Sequence, residues 1–334
     1  TTAQVAKILG GLREKLVPFV RELLDRGTPP PPIPPGKYRI HSQKALCREA
    51  LQAIGYDFSA GRLDDSAHPF TIGLGPGDTR VTNRYNEAEP FSALYGALHE
   101  GGHALYDQGI PAELHWMGLS GGASYGIHES QSLFGENQIG RSLAFWEFFK
   151  PKLSRRFRVF AQNKPEEIFR MVNRVEPSLI RVEADEVTYN LHICLRFELE
   201  LGLIEGKLKV EELPERWNAA MKEYLGVVPP DDAKGVLQDV HWSGGSFGYF
   251  PSYALGNLYA AQFMEALRAD LPDLWENVRK GNAAPILSWL RERIHRFGRM
   301  YFPAELCEKV TGAKLSSEPF LRYIREKYTA VYRI

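Results

Sequence analysis

Helical spacing of apolar residues dominates this sequence and restricts it to a mostly α fold. From Ala3 to Arg26 the residues Val5, Ile8, Leu12, Leu16, Phe19, Val20, Leu23 and Leu24 recur every three or four positions, until Gly27 and Pro29 end the pattern. Pro18 and the pair Gly10-Gly11 predict a bend within that helix. The run Pro29–Pro35 has to be extended and reads as a rigid connector. Ser42 is the expected cap of a short amphipathic helix closed by Gly55. Residues 68–84 change character: two β-prone pieces flank Gly75-Pro76-Gly77-Asp78, which predicts a small antiparallel ribbon. Phe91, Leu94, Tyr95, Leu98, Leu105 and Tyr106 resume helical spacing up to Gly109. Further helices are expected over 129–149, 165–173, 178–202, 211–225, 253–270, 284–300 and 318–332, with a loop over 226–250.

Composition narrows the partners. Among 334 residues, 41 basic side chains balance 41 acidic ones, which removes the electrostatic argument for nucleic acid or an anionic membrane as partner. No stretch approaches the roughly 18 apolar residues that a bilayer-spanning helix needs. The three cysteines Cys47, Cys194 and Cys307 lie far apart, so neither a disulfide framework nor a cysteine zinc site is expected. A reducing, cytoplasmic location is the simpler expectation. The chain opens Thr1-Thr2-Ala3-Gln4 with neither methionine nor an apolar signal region, so it is expected to be processed or part of something longer.

His99-Glu100-Gly101-Gly102-His103 fits the pattern H-E-x-x-H. At about 100° per residue, positions four apart lie one turn apart on one helix face. Both imidazoles can then meet a single ion, while Glu100 sits beside it to take a proton from water. The adjacent glycines cost about 1 kcal/mol each against alanine, which close approach of another backbone or a ligand would justify. A catalytic zinc usually has three protein ligands. On spacing, Glu129 of His128-Glu129-Ser130-Gln131 leads Glu113, His115 and Glu136 only modestly as the third. Asp107, one turn after His103, is either an orienting partner for an imidazole or a solvated carboxylate.

Taken together, HEGGHALYDQG (99–109) and HESQ (128–131) resemble the carboxypeptidase Taq family of zinc metallocarboxypeptidases. Four further signatures of that family follow pattern here: His68-Pro69-Phe70, Asp78-Thr79-Arg80-Val81-Thr82, Ile180-Arg181-Val182-Glu183-Ala184-Asp185, and Gly235 to Trp242 (GVLQDVHW). The resemblance runs from residue 1 to the C-terminus, while family members are longer at the N-terminus. Residues 1–334 are therefore expected to form a single catalytic domain without the family's N-terminal helices. The resemblance implies a helical metallopeptidase like neurolysin and angiotensin-converting enzyme, with a deep groove, a small sheet at its edge, and a homodimeric state. It also implies Glu129 as third ligand, with zinc as the metal and cobalt as a possible substitute.

By the same carry-over, related helical peptidases use a histidine and a tyrosine twelve residues later to stabilise the oxyanion. That points to His241 and Tyr253, with Tyr249 close behind. A free C-terminal carboxylate suits the planar fork of a guanidinium, and Arg181 and Arg80 are the candidates. Arg181 is expected on an apolar helical stretch, with a salt bridge to Asp185 or Glu183 as the bland alternative. His68 and Gln238 are expected to shape the groove, and His41, His115, His192 and His295 to be structural or solvated. The expected activity is stepwise removal of C-terminal residues from peptides with broad side-chain tolerance. The rivals are an endopeptidase of the same chemistry, and a fragment that binds metal or peptide with little turnover.

Overall fold

The computed structural model describes residues 1–334. Its helices and strands are, in chain order, α1 (Thr2–Arg26), α2 (Ile40–Ile54), β1 (Leu63–Asp65), β2 (Phe70–Gly75), β3 (Asp78–Asn83), α3 (Ser92–Gly109), α4 (Ala112–Trp116) and α5 (Tyr125–Leu133). They continue as α6 (Leu143–Arg156), α7 (Pro165–Val172), α8 (Tyr189–Ile204), α9 (Leu213–Leu225), α10 (Pro251–Asp270), α11 (Leu274–Arg279), α12 (Ala284–Arg293), α13 (Pro303–Thr311) and α14 (Glu318–Tyr332). The fold is mainly helical, as the spacing requires. No helix is long and apolar enough to cross a membrane.

Two compact units divide the chain. The first comprises Thr1–Pro30, Asn173–Leu255 and Ser316–Ile334. In it α1 packs Leu9, Leu12, Leu16, Phe19, Val20 and Leu23 out of water, and α8 and α14 supply further core residues. A Thr1–Gln4 capping box starts α1. Gly27 follows it with an extended backbone, at a place where a Cβ would sit 2.5 Å from both the Leu23 carbonyl oxygen and the Tyr332 ring. The expected bend does not break α1, which runs without interruption through Gly10, Gly11 and Pro18.

Pro31–Val172 and Gly256–Leu315 form the second unit. Its sheet has the order β1-β3-β2, with β2 antiparallel and β1 parallel to β3. The ribbon is thus real but mixed. Leu63-Asp64-Asp65 escaped notice because three residues, two of them acidic, carry no β signature. Pro76-Gly77 closes the β2–β3 hairpin, with Gly77 at φ 79°. Asn83 is buried and anchors the sheet to α3 by donating to the Ala93 carbonyl at 2.7 Å.

Four boundaries differ from the spacing, each for a local reason. α2 starts at Ile40, with Arg39 rather than Ser42 in the cap position. There the Gln43 amide donates to Tyr38 O at 2.8 Å and Asn86 O at 2.7 Å, fixing the entering chain, while Ser42 is buried inside the helix. α8 begins only at Tyr189, since Asp185 accepts from the backbone of Val187 and Thr188 (2.9 and 3.0 Å) and the Thr188 hydroxyl (2.7 Å). Arg181 consequently sits on a single 3₁₀ turn, Arg181–Glu183, not on a helix. The expected helix over 129–149 is interrupted by a π-helical segment, Phe134–Gly140, and α6 is newly capped by Ser142. Helix 284–300 stops at Arg293, followed by a 3₁₀ turn at His295–Phe297.

Candidate metal centre

α3 carries the H-E-x-x-H residues on a largely buried helix. Both glycines have a structural reason. A Cβ on Gly102 would lie 2.2 Å from the Gln131 carbonyl oxygen, so glycine lets α3 meet the backbone of α5. At Gly101 it would meet Leu51 Cδ2 at 2.5 Å and Ile54 Cδ1 at 2.8 Å, the end groups of α2. The close approach brings Glu129 of α5 beneath the two imidazoles. His99 Nε2 lies 3.6 Å from Glu129 Oε1, and His103 Nε2 lies 3.6 Å from Glu129 Oε2. Glu129 is backed by Gly256 of α10, where a Cβ would meet its Cγ at 2.6 Å.

One ligand atom from each of His99, His103 and Glu129 lies within 4.8 Å of the others. Two imidazole nitrogens and a carboxylate are the donor set of a borderline divalent cation such as zinc, and the site fits one. Its electrostatics agree. Burial opposes a charge on His99, but Glu129 and the Glu136 hydrogen bond outweigh it and raise its pKa to about 10. The carboxylates around this imidazole thus demand positive charge, which a bound cation would supply in place of a proton. Burial pushes the Glu129 carboxyl up, against the opposing charge of His99. His103 is driven well below its ordinary value by burial and by the neighbouring imidazoles of His128 and His99.

Each imidazole is tethered at its other nitrogen. His99 Nδ1 lies 3.0 Å from Glu136 Oε2, and Arg141 Nη2 donates to Glu136 Oε1 at 3.0 Å. Burial disfavours the charge on Glu136, but His99 and Arg141 hold its pKa at about 2. His103 Nδ1 lies 2.6 Å from His128 Nδ1, and His128 Nε2 lies 3.1 Å from Asp107 Oδ1. Asp107 therefore orients the imidazole of His128, and His103 only through it. Glu100 is buried, and the Thr71 hydroxyl on β2 lies 2.7 Å from its Oε2 and 2.8 Å from its carbonyl oxygen.

Several of these residues escaped sequence reasoning. Thr71 and the pairing role of His128 carried no signal, because their partners are 29 and 25 residues away. Glu136, weighed on spacing as a third ligand, instead pairs with the other nitrogen of His99. Arg80 of β3 grips Asp78 with Nε and Nη2 at 2.9 and 2.7 Å, and His68 is exposed, its Nδ1 2.7 Å from Pro69 O.

His241, Tyr253, Tyr249, Arg181 and Gln238 belong to the first unit and form their own cluster. His241 Nε2 lies 3.1 Å from the Tyr253 hydroxyl, and the Tyr249 ring is 5.6 Å from the imidazole. Burial and the Arg181 charge lower the pKa of His241. Arg181 does not pair with Asp185 or Glu183; its Nε and Nη2 donate to Asp239 Oδ1 at 3.0 and 2.8 Å, and its Nη1 to the Tyr189 hydroxyl at 3.1 Å. The other Asp239 oxygen accepts from Arg196 at 2.6 Å. Gln238 staples the loop, accepting from Arg181 N and Arg196 Nη2 and donating to Leu179 O.

A family model described as carboxypeptidase Taq (M32) metallopeptidase matches residues 1–328. The chain belongs to that M32 family. Thermostable carboxypeptidase 1 of Thermus thermophilus is 49% identical over 331 residues, 98% of this chain and 65% of that protein. Carboxypeptidase 1 of Bacillus subtilis is 42% identical, covering 99% of this chain and 67% of that one. A crystal structure of an M32 carboxypeptidase from Deinococcus radiodurans superposes at a TM-score of 0.97 with 42% identity, over 100% of this chain and 68% of that one. This M32 chain thus spans about two thirds of the length of the relatives it matches. Cys47, Cys194 and Cys307 are buried and free.

Proposed function

We propose that this chain carries a metallocarboxypeptidase centre that removes C-terminal residues from peptides with a free carboxylate. The convergence of His99 Nε2, His103 Nε2 and Glu129 beside a buried Glu100 carries the reading. Zinc, with cobalt as a substitute, is the proposed cation; His99, His103 and Glu129 would hold it, and it would supply Lewis-acid polarisation of the scissile carbonyl and a lowered pKa for water. Glu100, oriented by Thr71, accepts a proton from the attacking water and hands it to the departing amine. His241, kept neutral by its surroundings, and Tyr253 are the proposed hydrogen-bond donors to the oxyanion, with Tyr249 supporting them.

Arg181 and Arg80 are the proposed receptors for the terminal carboxylate. Both guanidiniums already hold an aspartate, so substrate must displace or share one. Exchange at the half-exposed Asp78–Arg80 pair costs less than at the buried Asp239–Arg181 pair, which favours Arg80. We further propose a cytoplasmic homodimer without nucleic-acid or membrane partners.

A matched pair of peptides, one with a free C-terminus and one amidated, tests the substrate class. The free peptide should be trimmed one residue at a time and the amide left intact. Equal hydrolysis of both would replace the exopeptidase reading with an endopeptidase one.

A further inference from the structure

The two imidazoles facing Glu129 are held in unlike ways. His99 leans directly on a carboxylate, Glu136. His103 leans on another imidazole, His128, which alone reaches a carboxylate, Asp107. Burial cannot explain why a second histidine sits in between, but proton bookkeeping can.

A carboxylate only accepts hydrogen bonds, and a neutral imidazole has one donor and one acceptor nitrogen. At 3.1 Å from Asp107 Oδ1, His128 Nε2 must carry the proton. In a neutral His128, Nδ1 is then an acceptor. Its partner at 2.6 Å, His103 Nδ1, must therefore be the donor. The remaining nitrogen of His103, Nε2, is left with its lone pair, and this is the atom 3.6 Å from Glu129. Packing holds the relay in register: the Tyr106 ring lies 5.2 Å from the His128 ring, and a Cβ on Gly122 would stand 2.9 Å from His128 Cδ2.

We propose that Asp107, acting through His128, fixes the tautomer in which His103 presents its Nε2 lone pair to the cation. Asp107 and His128 are positioning residues, and the proposal rests on the reading of His99, His103 and Glu129 as ligands. Without Asp107 the relay can run either way. Reversed, it places a proton on His103 Nε2, where it blocks coordination.

The substitution Asp107→Asn keeps the shape but replaces an obligatory acceptor with a group that can also donate. Competition with a chromophoric chelator should show zinc affinity falling about 10- to 100-fold, as for other supports of a ligand imidazole, with metal-free unfolding little changed. Imidazole ¹⁵N NMR of the metal-free wild-type chain should place protons on His128 Nε2 and His103 Nδ1. A proton on His128 Nδ1, or an Asp107→Asn affinity within twofold of wild type, would overturn the relay while leaving the ligand reading intact. The NMR arm decides even where the variant does not fold. A wild-type chain that takes up no zinc removes the ligand reading and the relay with it.

Discussion

Two helices of this protein contain adjacent glycines, and they use them in opposite ways. In α1, Gly10-Gly11 has open space around both Cβ positions, with nothing within 4 Å. In α3, Gly101-Gly102 is pressed by α2 on one side and by the α5 backbone on the other. Each pair gives up about 2 kcal/mol of helix propensity relative to alanine. α1 gains no contact in return and depends on its buried stripe from Leu9 to Leu23. α3 gains the approach that places Glu129 under its histidines. A helical glycine pair is a functional signal only where another backbone has come close.

Substitutions sharpen the contrast. Gly102→Ala should cost the most, on the order of 3 kcal/mol despite its gain in propensity, because its Cβ would stand 2.2 Å from a carbonyl oxygen and 2.6 Å from Ser132 Cα. Denaturant unfolding and zinc competition should both register the loss; a variant as stable as wild type would end the backbone-approach argument. Next in size is acid sensitivity. His295, packed against Gly109 of α3, and His192 on α8 are both held at a pKa of about 3, by burial first and nearby positive charge second. The unfolded chain binds these protons near pH 6.5, so stability is full above that value and falls toward pH 3, by on the order of 1 kcal/mol per pH unit for each histidine. Unfolding free energy measured from pH 7 to pH 5 should slope less in His295→Gln and in His192→Gln. Unchanged slopes would remove the assignment of buried neutral histidines.

Gly10→Ala and Gly11→Ala should each stabilise by up to about 1 kcal/mol, readable as a raised thermal midpoint. Destabilisation at either would show that α1 has a neighbour there after all. The smallest effect belongs to Gly101→Ala, whose obstructing atoms are the flexible ends of Leu51 and Ile54, so propensity gain and repacking nearly cancel.

The same distinction separates what the sequence disclosed from what it hid. Periodicity exposed the helix bearing His99 and His103, because a 3.6-residue repeat is a local property. Gly55, in the left-handed region at φ 93°, ended α2 where composition placed it. Long-range pairing left no such trace. Asp239 could not be chosen as the partner of Arg181 over Asp185, since the turn before α8 that occupies Asp185 shows only in the fold. Thr71 looked like an ordinary strand residue, and only the fold sets its hydroxyl against Glu100. The π-helical segment after α5 also lies beyond spacing rules, although it begins two residues before Glu136, the group that steadies His99.

Metal content of two isosteric variants tests the central claim most directly. Elemental analysis after zinc loading should find one divalent ion per chain in wild type and in Glu100→Gln, the latter without turnover, and far less than one in Glu129→Gln. A Glu129→Gln chain that keeps its full complement of metal would contradict the His99–His103–Glu129 site.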